Sequence, residues 1–216
     1  MSTQAKTDPE VRETKGARTR ARIKQTIIDL VSDASPVDVT LAHICEAADV
    51  TVGAFYFHFT NKESALKETA CDAIRDYYGT ILDVASQRAP LERQLTDIMK
   101  AYLQNFTDHA PATRFIRMVM PASQKVKLAW DDERKKLSGE LERMIAEARG
   151  IGNADPISFF MTEFLLTATE AFLENLYFGT DDRLQAAAGA PDIVIRNIAA
   201  IWQRAILNPN RIGDYL

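Results

Sequence analysis

The sequence has few of the residues that build disulfide scaffolds, metal sites or irregular chains. Its 216 residues include only two cysteines, three histidines, nine glycines and eight prolines. Cys45 and Cys71 both lie among apolar residues in helical patterns, which indicates reduced core thiols rather than a disulfide framework or a metal site. The apolar fraction of 46% is ordinary for a globular protein, so disordered and collagen-like chains are excluded.

Long hydrophobic runs are also missing. The best candidate, Phe159 to Leu166, is interrupted by Thr162 and Glu163 and is much shorter than the roughly 20 residues that a membrane helix needs. Residues 1–22 contain no apolar segment of the kind found in a secretory signal. We therefore expect no membrane contact and a cytoplasmic location.

Signatures of catalysis are absent as well. The chain has no H-E-x-x-H, no G-x-S-x-G and no Walker lysine motif. Gly150 and Gly152 lack a third glycine and a preceding strand, so they indicate a helix end rather than a nucleotide loop. We expect no catalytic residue, no metal, no cofactor and no enzymatic activity.

Positive charge is concentrated near the amino end of a chain whose net charge is −4. Between Arg12 and Lys24 there are six basic residues and one acidic residue, whereas all the net negative charge lies in residues 63–216. A short basic arm is typical of proteins that bind nucleic-acid backbones, although a solvated tail has the same charge pattern.

Apolar residues recur at helical spacing along the chain, without the alternation of a strand, so the fold is predicted to be all-α. Ile23, Ile27 and Val31 predict a first helix over residues 17–34, which Pro36 then ends. Further helices are predicted to include residues 91–106, 115–119 and 137–148, listed here in chain order.

Two short helices joined by a three-residue turn have the spacing of a helix-turn-helix. Thr40 and Thr51 are placed to cap these helices, and Asp49 stands where the chain would leave the first one through a left-handed residue. Thr60 and Glu63 are interpreted as a capping box that opens a long fourth helix.

The second short helix is predicted to bury one aromatic side and expose another. Phe55 and Phe59 are four residues apart and point toward the core, which leaves Gly53, Ala54 and Phe57 on the remaining arc. An exposed phenyl ring is a poor solvent face. Small residues would let the helix backbone approach the DNA, and Phe57 and the Ala54 methyl group could touch a thymine methyl group in the major groove.

Two long helices are predicted near the carboxyl end, over residues 156–179 and 191–207. The first is apolar on most sides, with one narrow polar stripe that contains Glu163, Thr167, Glu170 and Glu174. A helix that is apolar on several sides contacts more than its own core, so we expect both helices to join a symmetric four-helix bundle in a homodimer. One unusually large monomeric core is the alternative.

The central helices carry large or adaptable side chains that could line a cavity for an apolar or aromatic small molecule. Ordinary core packing is the alternative for each of them. Glu163 could recognise a cation there, but its place on the polar stripe favours a solvated carboxylate. The candidate ligand-binding residues are Tyr102, Phe106, Phe115, Met118, Trp130, Phe160 and Phe164.

Residues 20–68 closely resemble the DNA-binding region of the tetracycline-repressor (TetR) family. The most specific part is the run Phe55-Tyr56-Phe57-His58-Phe59, followed by Asn61-Lys62-Glu63. The resemblance implies an all-helical homodimer with one helix-turn-helix per subunit, a ligand cavity among the central helices, and dimerisation through the last two long helices. It divides the chain into a basic arm (1–17), a three-helix DNA-binding domain (18–65), and a ligand-binding and dimerisation domain (66–216).

The resemblance also assigns roles to residues. Asp49 stands where the family usually has glycine, and Ala54 stands where serine or threonine is common, so direct base readout is expected to be weak. Specificity is expected to come from methyl contacts, DNA shape and the basic arm in the minor groove. The implied DNA contacts are Thr40, Thr51, Tyr56, His58 and Lys62 to phosphates, Val52, Gly53, Ala54 and Phe57 in the groove, and Arg18, Arg20 and Arg22 at the arm.

The sequence therefore predicts a transcriptional repressor that a small effector releases from a palindromic operator of double-stranded DNA. The alternative is a helical ligand-binding or adaptor protein that kept the motif and lost DNA binding. The two differ in salt dependence, because only a DNA binder loses affinity steeply as salt rises.

Overall fold

The computed structural model of the chain describes residues 14–151 and 155–207. Within these ranges the protein is all-α, with ten α-helices, one 3-10 turn and no strand. The elements are α1 (Lys15–Asp33), α2 (Leu41–Ala47), α3 (Val52–His58), α4 (Lys62–Ala85), α5 (Leu91–Phe106), α6 (Ala110–Val119), the 3-10 turn (Met120–Ala122), α7 (Gln124–Ala148), α8 (Pro156–Phe178), α9 (Asp182–Ala188) and α10 (Pro191–Leu207).

The first three helices enclose a small core at the amino end. Ile23, Ile27 and Val31 recur along one side of α1 and are fully buried, as the spacing predicted. Ile44 of α2 and Phe55 of α3 are fully buried in the same core. The prediction of three helices in a helix-turn-helix arrangement is confirmed.

The long helix α4 begins beside α3 and continues into the rest of the molecule, where it packs on α5, α6 and α7. Its capping box lies one residue later than predicted. The N-cap is Asn61 rather than Thr60: the Ser64 amide donates to Asn61 Oδ1 at 2.7 Å, and the Asn61 amide donates to Ser64 Oγ at 3.1 Å. Glu63 instead pairs with Lys67 one turn along, which is a solvent-side i,i+4 ion pair.

The helices that follow α5 differ from the prediction in length and number. α6 begins at Ala110, five residues before Phe115, because Pro111 suits the first turn of a helix. α9 was not predicted, since its alanine-rich sequence has no apolar stripe, yet the Asp181 carboxylate caps it.

Cys45 and Cys71 are both buried free thiols, as expected. No helix of the described residues is long and apolar enough to cross a membrane.

Candidate functional site

The turn between α2 and α3 has the geometry that the sequence predicted. Asp49 is in the left-handed region with φ 49°, and the amides of Asp49 and Val50 donate to the carbonyls of Glu46 and Cys45 at 3.1 and 3.0 Å. This pair of bonds is the Schellman motif that ends a helix. The Arg22 guanidinium of α1 donates to the Asp49 carbonyl oxygen at 3.3 Å, so α1 also holds the turn.

The outer face of α3 is apolar and open. Phe55 and Phe59 are buried against each other with ring centroids 5.4 Å apart, whereas Phe57 is 84% exposed and Tyr56 is 53% exposed. Val52 is also exposed. Gly53 is exposed and Ala54 half-exposed on the same short helix. All four residues assigned to the groove therefore lie on the solvent side of a helix that the core holds from behind.

The residues assigned to phosphates surround this face. The hydroxyls of Thr40 and Thr51 cap α2 and α3 by accepting from the amides of His43 and Ala54. His58 is half-buried beside Phe57, with ring centroids 5.1 Å apart. Lys62 is not free: its ammonium donates to the carbonyl oxygens of Pro36 and Val39 at 3.1 and 2.8 Å, and so ties the start of α4 to the loop before α2.

The basic segment is helical rather than an extended arm. Lys15 begins α1, so residues 15–17 of the predicted arm and all of residues 18–24 are helix; residues 1–13, including Arg12, lie outside the described ranges. A helix about 10 Å wide does not fit inside a minor groove about 6 Å wide, so the helical backbone of residues 15–24 stays outside such a groove. Minor-groove entry by the rest of the arm stays a prediction. Arg18 is exposed. Arg20 pairs with Glu68 and lies over the Phe59 ring.

The predicted ligand-binding residues do not form one site. Phe106 and Trp130 line a cavity of about 260 Å³ between the central helices. Tyr102 and Phe115 are fully buried in the core, but neither is among the residues that line this cavity. Met118, Phe160 and Phe164 are exposed, the last two stacked on the outside of α8 with ring centroids 6.2 Å apart. Helical spacing placed them on α6 and α8 but could not tell which side of each helix faces the core.

Two carboxylates of the α8 polar stripe, Glu163 and Glu170, pair with Arg134 of α7, so Glu163 is a partly buried ion-pair partner instead of the solvated carboxylate that was expected. Arg134 of α7 donates to Glu163 Oε2 at 2.7 Å, to Thr167 Oγ1 at 2.8 Å and to Glu170 Oε2 at 3.1 Å. Ser138 also donates to Glu163. Burial would raise the pKa of Glu163, but these donors outweigh it and the pKa is lowered.

A group of tyrosines meets this stripe from α4 and α5. Tyr78 donates its hydroxyl to Glu170 Oε1 at 3.1 Å, and the fully buried Tyr102 hydroxyl has no hydrogen-bond partner within the described ranges. Burial, and then the Glu170 charge, raise the pKa of both phenols and of Tyr77. Burial also raises the pKa of Glu170 despite Arg134 and Tyr78. Tyr77 is not among the predicted site residues, because a tyrosine at helical spacing indicates core packing as readily as a site.

The last two long helices leave an apolar face uncovered. A groove of about 550 Å³ between α8 and α10 is lined by Phe164, Phe172, Ile193 and Ile201, all of which are exposed. Other apolar side chains of the same two helices are exposed as well. They are Ile157, Phe159, Phe160 and Leu207.

The amino-terminal domain matches a known sequence family. Residues 29–69 match the model of bacterial regulatory proteins of the tetR family. This range contains all of α2 and α3 and the start of α4, which together form the surface described above. No curated protein sequence matches the chain.

Solved structures share the fold at low identity. FadR from Bacillus halodurans, a fatty acid degradation regulator, is 13% identical with a TM-score of 0.67 and covers 85% of this chain and 94% of its own. A transcriptional regulator of the TerR/AcrR family from Aquifex aeolicus VF5 is 15% identical with a TM-score of 0.62 over 83% and 96%. The superantigen PfiT is 14% identical with a TM-score of 0.68 over 87% and 97%. These likenesses show the fold alone.

Proposed function

We propose that this chain, whose residues 29–69 match the tetR family of bacterial regulatory proteins, is a DNA-binding regulator of that family, namely a homodimeric repressor that a small effector releases from a palindromic operator. The observation that carries the proposal is the exposed ring of Phe57, on a helix whose Phe55 and Phe59 are buried. The folded chain leaves the Phe57 ring exposed to water, and a bound surface would bury it.

In the proposed complex α3 lies in the major groove. Gly53 and Ala54 let the helix backbone approach the bases, and Val52 and Phe57 contact thymine methyl groups. None of these four side chains donates a hydrogen bond to a base, so sequence preference depends largely on methyl contacts and DNA shape.

Phosphate contacts hold the helix in register. Thr40, Thr51, Tyr56 and His58 flank the exposed face of α3 and are proposed to contact the DNA backbone, with Lys62 using the donor that its two carbonyl bonds leave free. Arg18 is exposed on α1 and is proposed to contact a phosphate directly. Arg20 and Arg22 are proposed to approach the backbone from α1, while their present contacts brace Phe59 and the turn.

A second copy completes the site. The uncovered apolar face of α8 and α10 is proposed to pair with itself across a two-fold axis as a four-helix bundle. Two recognition helices would then lie in successive major grooves about 34 Å apart and read a palindrome.

The effector response is proposed to act through α4. This helix begins at Lys62 beside α3 and also supplies Tyr77 to the cavity between the central helices. A ligand that tilts α4 changes the separation of the two recognition helices. A coupling of about 1–3 kcal/mol is enough, and it is reciprocal, so operator DNA weakens effector binding by the same factor.

The test is a binding titration of the full chain with DNA from upstream of its own gene, repeated over a range of salt. We expect a steep linear fall of log affinity with log salt. Tyr56→Ala should weaken binding to all sequences, whereas Phe57→Ala should also change the preferred sequence. Leu128→Ala, which truncates an exposed apolar residue on α7, is the control.

Unchanged affinity in Tyr56→Ala would show that the docking face is assigned wrongly. A salt-independent or absent interaction would favour the second candidate, a ligand-binding or adaptor protein without DNA binding. Asp49 favours that candidate, because its exposed carboxylate places negative charge beside the proposed phosphate contacts.

A further inference from the structure

The cavity between the central helices has aromatic walls and a charged side. Tyr77 of α4 and Trp130 of α7 form one wall, with ring centroids 5.3 Å apart, and Phe106 of α5 closes another. Glu170 and Glu174 of α8 also line the cavity. The volume of about 260 Å³ is below the roughly 300–1,000 Å³ of drug-sized sites, so it suits a small molecule.

The ion pairs at this cavity leave one carboxylate without a cation of its own. Arg117 pairs with Glu174, and Arg134 is shared between Glu163 and Glu170. Two guanidinium groups therefore face three carboxylates. Burial raises the pKa of Glu170, which means that its charged form is under-compensated where it lies.

A second observation indicates an incomplete polar site. The Tyr102 hydroxyl is fully buried and has no hydrogen-bond partner within the described ranges, and its ring lies 6.5 Å from the ring of Tyr77 on the cavity wall. Burial, and then the Glu170 charge, raise the pKa of the Tyr102 phenol, so this hydroxyl lies beside Glu170, although Tyr102 is not among the residues that line the cavity. Buried polar groups in native proteins are nearly always hydrogen-bonded, so the polar groups around Glu170 are incompletely satisfied.

A flat organic cation fits the charge and the aromatic walls of this cavity. Its positive charge neutralises the Glu170 carboxylate, and its body lies against the electron-rich faces of Tyr77 and Trp130. An anion would add charge to a site with an excess of carboxylates, and a neutral ring would leave Glu170 as it is.

We propose that the effector of this protein is a small aromatic or planar monocation, such as an amine or amidine, which Glu170 recognises by charge and Tyr77 and Trp130 by their ring faces. This inference rests on the proposed effector response and names the chemistry of the ligand.

The test uses three probes of nearly equal shape: benzamidine, which is a cation, benzamide, which is neutral, and benzoate, which is an anion. Calorimetric titration of the full chain should show benzamidine binding about tenfold or more tighter than benzamide, with benzoate weakest. Glu170→Gln should abolish the preference for benzamidine. Asp131→Asn, which removes the same charge from an exposed position on α7, should preserve it.

Equal binding of benzamidine and benzamide, failure of benzamidine to bind, or an unchanged preference in Glu170→Gln would overturn the proposal. If Glu170→Gln does not fold, Trp130→Leu replaces it and should lower benzamidine affinity severalfold more than benzamide affinity.

The DNA titration separates this proposal from the proposed function. Operator binding with no preference for benzamidine would refute the ligand chemistry and leave the regulator intact. A preference for benzamidine without any DNA binding would support the ligand chemistry and refute the regulator function.

Discussion

The Tyr78 hydroxyl of α4 donates a hydrogen bond of 3.1 Å to Oε1 of Glu170 on α8. At the other end of α4, the Lys62 ammonium binds the Pro36 and Val39 carbonyls in front of α2. One helix of 24 residues therefore connects the buried carboxylate to the helix-turn-helix. Any movement that displaces Glu170 from Tyr78 bears directly on the element that positions α3.

Three tyrosines should respond differently to loss of the hydroxyl. Tyr78→Phe removes a buried bond to a carboxylate and should lower the free energy of unfolding by about 1–2 kcal/mol. Tyr102→Phe removes a buried hydroxyl without a partner and should be neutral or raise stability by up to about 1 kcal/mol. Tyr56→Phe, at an exposed position, is the control. Urea denaturation measures all three, and equal losses for Tyr78→Phe and Tyr102→Phe would contradict the assignment.

Asp49 combines a backbone cost with a charge, and two substitutions separate them. Asp49→Gly removes the steric cost of a Cβ atom in the left-handed conformation and should raise the free energy of unfolding by about 0.5–1 kcal/mol. This gain is expected to exceed the additional conformational entropy that glycine loses on folding. Asp49→Asn tolerates the same φ and should leave stability nearly unchanged.

Both Asp49 variants remove a negative charge beside the proposed phosphate contacts, so both should bind DNA more tightly at low salt, by similar factors. Asp131→Asn should not. A gain in Asp49→Gly alone would mean that turn geometry, not charge, limits binding.

An ion network between α1 and α4 should make stability depend on pH. Glu68 accepts from Arg20 and Lys24, and Lys24 also pairs with Asp72. Burial would raise the pKa of Glu68, but the two cations outweigh it and the pKa lies below its ordinary value of 4.5. A lowered carboxyl pKa stabilises the fold at pH above the unfolded value, and this contribution is lost as pH falls through the folded value.

Glu68→Gln should therefore lower the free energy of unfolding by about 0.5–1 kcal/mol near neutral pH. The loss is small because solvent screens a partly exposed ion pair. The difference from the wild-type chain should shrink as pH falls below 4.5, and high salt should shrink it too. Glu46→Gln, at an exposed position on α2, is the control. A difference that persists in acid would show that Glu68 acts by packing instead of charge.

The amino-terminal domain could be predicted closely because local rules determine it. The Thr40 and Thr51 hydroxyls cap the next turn, Asp49 adopts a conformation open to few residue types, and Phe55 and Phe59 are one turn apart. Each of these depends on residues within a few positions in the chain. The N-cap of α4 was predicted at Thr60 and is Asn61, because either of these adjacent residues can cap a helix.

The central site could not be predicted in the same way. Helical spacing shows that Glu163 and Glu170 share a face of α8, but not whether that face meets solvent or α7. Arg134, which decides the matter, lies in a charged run that resembles an ordinary solvated surface. For the same reason Phe160 and Phe164 were predicted to line the cavity, although both are exposed outside it. Only the packing of one helix on another resolves such choices.

The uncovered face of α8 and α10 predicts that a single buried charge will separate the subunits. Phe164 is 62% exposed in one chain, so Phe164→Asp should change the stability of the isolated subunit little, within about 0.5 kcal/mol. In the proposed bundle its carboxylate would be desolvated without a partner on both sides of the two-fold axis, which is a large penalty.

Sedimentation velocity should show a dimer for the wild-type chain and a monomer for Phe164→Asp, and the variant should lose most of its affinity for a palindromic operator while keeping weak binding to a half-site. Leu128→Asp makes the matching change on α7, at an apolar residue that is likewise exposed but lies away from the groove, and should remain dimeric. A dimer that survives Phe164→Asp unchanged would place the subunit interface elsewhere, and the apolar groove between α8 and α10 would then need a different occupant.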